Sequence, residues 1–201
     1  MNRFQTQVIH VTHPNTAIEA IRQDGRRVVT FTGFSAAGYE EPRRIEQILR
    51  ETLQRRDPRS TLVCAGATPD GIGAVYRLAK ELGFETIGIV SSTAERDAVR
   101  FSDDVDRIFV IEDDIWGGLL DDGVTLSPTS EAMVGSADEF IAIGGGQIAA
   151  QEVVEARNRR IAVIYEPADM NHENARAQAR HKGQEAPVDF TAVIDRIAKE
   201  G

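Results

Sequence analysis

Short runs of β-branched and apolar residues recur along the chain, each followed by a glycine-bearing turn and then by apolar positions spaced as on one face of a helix. Val28 to Thr32, Thr61 to Ala65, Thr86 to Val90, Arg107 to Ile111, Glu139 to Ile143 and Ile161 to Tyr165 read as strands. They lack strict alternation, so both faces of the sheet are covered, the pattern of a parallel sheet between helical layers. A further pair, Val8 to Val11 and then Pro14 to Asp24, closed by Gly25, adds a strand and a helix at the N-terminal end. The prediction is an α/β fold, a Rossmann-like doubly wound and mostly parallel sheet of about six to seven strands with helices on both faces. It occupies residues 1–201 as a single domain.

The helices have their own signals. Pro42 suits a first helical turn and is followed by Ile45, Ile48, Leu49 and Leu53 on one face. Ile72, Val75, Leu78, Ala79 and Leu82 repeat the stripe, with Gly83 placed to end it. Phe190, Val193, Ile194 and Ile197 predict a last helix. Two stretches break the rhythm: Glu112 to Pro128 reads as an inserted hairpin or long loop, and Asn171 to Pro187 as a mobile linker or an exposed polar helix.

Charge sharpens this picture. The net charge is −9, which disfavours binding to a nucleic-acid backbone, and ten acidic against three basic residues between 95 and 122 account for −7 of it. The rest of the chain is nearly neutral and compatible with an anionic ligand. With Cys64 as the only cysteine, neither a disulfide framework nor a cysteine zinc cluster is expected, and a reducing, cytoplasmic setting fits. No run is long and apolar enough to predict a membrane span or a signal peptide.

Ligands of open parallel sheets sit beyond the carboxyl ends of the strands, where loops and helix N-termini offer backbone N–H groups. Three such loops are rich in glycine and small hydroxyl residues: 33–39 with Gly33, Ser35, Gly38 and Tyr39, 66–73 with Gly66, Thr68 and Gly71, and 144–147 with Gly144, Gly145, Gly146 and Gln147. Each alone is what a tight turn requires. Together they predict a cleft of backbone amides that accepts a phosphate without basic side chains. Neither the dinucleotide fingerprint nor a P-loop is present.

Glu152 follows the third loop. On a helical wheel it falls about 40° from Ile148, on the same side as Ala156, Ala149 and Val153 at about 80°, 100° and 140°. A carboxylate inside an apolar stripe needs a hydrogen-bond partner or a ligand.

These residues resemble the Rossmann-like SLOG superfamily and, within it, the "lysine decarboxylase-like" LONELY GUY family of nucleotide phosphoribohydrolases. The likeness covers roughly 28–165. Gly33, Ser35, Gly38 and Tyr39 are similar to its opening loop, and Gly71-Ile72-Gly73-Ala74-Val75 to its second glycine segment. Gly144-Gly145-Gly146 resembles its PGGxGTxxE motif, in which Glu152 takes the glutamate position. The resemblance implies a nucleotide-type ligand and a glutamate that assists cleavage of an N-glycosidic bond. The family's proline, glycine and threonine are replaced by Gly144, Ile148 and Ala149, and its arginine-lysine pair by Thr129 and Ser130.

The leading expectation is a protein that binds a nucleotide or nucleotide-derived metabolite as sensor, carrier or degenerate enzyme. The alternatives are a nucleoside-monophosphate N-glycosidic hydrolase using Glu152, and a partner-docking protein with a vestigial pocket. No cofactor or metal is expected, with Mg²⁺ between the insert's carboxylates and a phosphate left open, as is a homo-oligomer in which Arg77, Arg157 or a second chain supplies the missing arginine. Trp116 reads either as a stacking platform or as packing.

Overall fold

The computed structural model describes residues 6–181 and 183–195. Seven strands form one sheet, all parallel: β1 Gln7–Val11, β2 Arg27–Gly33, β3 Thr61–Ala65, β4 Glu85–Ser91, β5 Arg107–Ile111, β6 Glu139–Ile143 and β7 Ala162–Glu166. Their spatial order is β1-β5-β4-β3-β2-β6-β7. The helices are α1 Pro14–Arg22, α2 Pro42–Gln54, α3 Ala74–Glu81, the short α4 Thr93–Arg96, α5 Pro128–Ser136, α6 Gln147–Asn158 and α7 His172–His181.

Successive strand residues feed opposite layers because side chains alternate across the pleat. Val29, Phe31 and Val63 pack with Ile45, Leu49, Val75 and Tyr76 of α2 and α3. Val28, Leu62, Cys64 and Phe140 pack with Ala17, Ile21, Met133 and Val153 of α1, α5 and α6. With both layers apolar, the inner strands read as continuous hydrophobic runs, and each large side chain so buried contributes roughly 1.5–3 kcal/mol. Pro14, Pro42 and Pro128 each open a helix, where a missing N–H costs nothing.

The chain order reverses between β2 and β6. From β2 the chain crosses through α2 to β3; from β6 it crosses through α6, on the opposite face, to β7. The carboxyl ends of β2 and β6, in register at Gly33 and Ile143, therefore flank a topological switch point, where open sheets leave a crevice.

Three segments refine the sequence reading. Glu112 to Pro128 is an irregular loop tied by one antiparallel bridge, Leu119 to Leu126, and ends in α5, whose helical nature the pattern of apolar positions did not reveal. The polar stretch from Asn171 takes the second of its two expected forms, the helix α7. A helical turn begins at Val193, whereas Ile197 lies outside the described residues. Among the described residues no helix is long and apolar enough to cross a membrane, and no cluster of His, Cys, Asp or Glu is arranged to hold a metal ion.

Candidate ligand-binding site

The three glycine loops leave adjacent strands, β3, β2 and β6. They touch through backbone. The Ile72 amide donates to the Phe34 carbonyl at 2.8 Å, and a Cβ on Gly71 would lie 2.1 Å from that same oxygen, so only glycine lets the first two loops meet. Between the first and third loops, a Cβ on Gly145 would lie 3.4 Å from Gly33 Cα and 2.6 Å from Ala149 Cβ. Gly144 and Gly145 have φ of +54° and +118°, conformations that side chains strongly disfavour.

Within this frame the sequence-selected residues divide. Ser35, Gly66 and Gln147 are exposed, while Gly38, Thr68 and Gly146 are partly exposed. A Cβ on Gly66 or Gly146 would meet nothing within 4 Å, so open space adjoins both. Gly71 and the buried Gly144 and Gly145 act as close-approach spacers. Tyr39 lies in the core rather than at the surface of the crevice: it is 5 % exposed, its ring meets Phe34 edge-on, and its hydroxyl donates to the Ile143 carbonyl at 2.9 Å.

α6 starts at the crevice with Gly146 as its N-cap and no side-chain bond to its first turn. The amides of Gln147, Ile148 and Ala149 have no acceptor within the helix, and the helix dipole adds positive potential there. Such an end is a ready anion site.

Glu152 is buried, 4 % exposed, and both carboxylate oxygens are engaged. Ser130 donates its hydroxyl to Oε1 at 2.8 Å, and Thr32 donates to Oε2 at 3.1 Å. No cation compensates the charge among the described residues, and burial pushes the carboxyl up to about 7 against the two hydroxyl bonds, which pull it down. Arg77, one candidate for the missing arginine, pairs with Glu46 and Glu81.

The insert packs against α5 and α6. The Gly118 amide donates to Ser130 Oγ at 2.7 Å, and the Leu119 amide to Gln151 Oε1 at 3.0 Å. Its acids are partly structural: Asp113 accepts the amides of Ile115 and Thr129, and Asp122 caps the turn at Val124 and Thr125. Trp116, 46 % exposed, stands at the surface beside Gly117.

Two features escaped the sequence reading. Tyr76 is fully buried, accepts the Ala67 amide and donates to the Ile87 carbonyl, both at 3.0 Å, and so anchors the second loop. The segment after β7 lies over the first and third loops: the Asn171 amide donates to the Gly38 carbonyl, and the Val193 amide to that of Gly145. Neither bond has a side-chain signature.

The fold and crevice define a doubly wound α/β protein of the Rossmann-like type, which upholds the resemblance drawn from the sequence at the level of the fold. Among solved structures, the molybdenum cofactor carrier protein of Chlamydomonas reinhardtii superposes with a TM-score of 0.51 at 20 % identity, over 70 % of this chain and 76 % of the carrier. The structural-genomics protein TM1055 is similar with a TM-score of 0.49 at 22 % identity, over 68 % of this chain and 72 % of that one. No protein-family model matches the sequence, and neither does any curated protein.

Proposed function

We propose that the protein binds a nucleotide or nucleotide-derived metabolite across the loops after β2, β3 and β6, as a carrier or sensor. The observation that carries this reading is the uncapped first turn of α6 beside open space at Gly146. Its amides would take the anionic end of the ligand, with Ser35, Thr68 and Gln147 reaching the rest from the three loops. A carrier role also has a precedent on a similar fold, in the molybdenum cofactor carrier protein.

Glu152 supports binding over hydrolysis. An N-glycosidase glutamate must reach the sugar, but here both oxygens are held by hydroxyls beneath the surface. The catalytic reading keeps one point in its favour, a carboxyl raised to about 7, the range of a general acid. A thermal-shift screen of nucleoside monophosphates, nucleotide sugars, dinucleotides and the molybdenum cofactor tests the proposal. The expected result is stabilisation by at least one class with no release of free base. Stabilisation by none overturns the pocket, and base release that is lost in Glu152→Gln overturns the carrier reading.

A further inference from the structure

The insert that follows β5 meets the buried carboxylate through a single hydroxyl. Ser130 Oγ accepts the Gly118 amide at 2.7 Å and donates its own proton to Glu152 Oε1 at 2.8 Å. A hydroxyl that donates to a carboxylate is polarised and becomes a better acceptor, so the charge on Glu152 strengthens the bond to Gly118. The fit is tight: a Cβ on Gly117 would lie 3.0 Å from Ser130 Oγ, and one on Gly118 would lie 2.4 Å from Gln151 Oε1. Ile148, in the first turn of α6, packs under the same two glycines. The insert is thus a cover along the start of α6, fastened at Ser130.

We propose that Glu152 is a proton-operated latch: ionised, it tightens the hold of Ser130 on the segment 115–119, and protonated, it loosens that hold. Once Glu152 carries a proton, the Ser130 hydroxyl no longer faces a carboxylate, and its bond to Gly118 weakens to an ordinary neutral one. Few other groups can operate the latch. Thr32 of β2, Cys64 of β3 and Ser130 of α5 face Glu152, and the Cys64 thiol is pushed by burial up to about 12, so it stays neutral throughout. Asp113 of the insert is committed to two amides, Gln151 to the Leu119 amide, and Glu131 and Glu155 to Arg159. The latch requires no ligand, so its failure leaves the binding proposal intact.

Trp116, the only tryptophan, reports on this segment directly. Its emission is followed from pH 5.5 to 8.5 in the unliganded protein, together with hydrogen exchange at Gly118 corrected for intrinsic rates. The expected result is a one-proton transition in emission with a midpoint near 7, and about tenfold more protection of Gly118 at the alkaline end. Glu152→Gln abolishes the transition and Ser130→Ala leaves Gly118 unprotected at every pH, so a folding failure of one variant still leaves the other as a test. Flat emission and flat protection overturn the proposal, as does an unchanged transition in Glu152→Gln, which would assign it to the histidines.

Discussion

Ser130 and Thr32 each donate a hydroxyl to the buried carboxylate of Glu152, one to each oxygen, with no cation to share the charge among the described residues. The consequence is a dependence of stability on pH. The native state holds the Glu152 proton up to about 7, whereas the unfolded chain releases it near 4.5, so between those values the native state binds more protons. Stability contributed by this group therefore falls as pH rises from about 4.5 to 7 and is level above, a loss of about 3 kcal/mol at most. Glu152→Gln keeps one acceptor for Ser130 and a donor for Thr32, and removes the loss. Urea unfolding at pH 5.5 and pH 8 should show the variant gaining on the parent at the higher pH.

The glycines of the crevice should not behave alike. Gly71 has φ of +59° and a Cβ there would sit 2.1 Å from the Phe34 carbonyl oxygen, while a Cβ on Gly66 would meet nothing within 4 Å. Gly71→Ala should cost about 3 kcal/mol or more through strain and separation of the loops, whereas Gly66→Ala should stay within about 0.5 kcal/mol of the parent. Thermal unfolding of the two variants side by side checks this.

Tyr76→Phe tests the anchor of the second loop. The change removes the acceptor of the Ala67 amide and the donor to the Ile87 carbonyl in a fully buried setting. A loss of about 2 kcal/mol in denaturant unfolding is expected, with faster amide exchange at Ala67.

The strands were legible because the inner ones are apolar on both faces. Thr61–Ala65, Arg107–Ile111 and Glu139–Ile143 coincide with the predicted runs, and the others differ by one residue at one or both ends. α5 was not legible, because six of its nine residues are buried and no polar face marks a period, although Ser127 caps it ahead of Pro128. The wheel position of Glu152 revealed its inward direction. Its partners were hidden, since Thr32 lies 120 residues away on β2 and Ser130 stands on the unrecognised helix. Tyr39 read as a loop residue because its hydroxyl partner is a backbone oxygen on β6, which no side-chain pattern announces.

Gly146→Asp provides the most direct test of the binding site at α6. A Cβ at Gly146 would meet nothing within 4 Å, its φ of −84° suits any residue, and aspartate is a favoured N-cap, so the variant should be as stable as the parent or more so. The same carboxylate would occupy the first-turn amides and repel an anion. Titration calorimetry with the nucleotide that gives the largest thermal shift is predicted to show binding weakened tenfold or more, by about 1.4 kcal/mol, with the melting temperature preserved. Unchanged affinity in a folded Gly146→Asp would contradict the account.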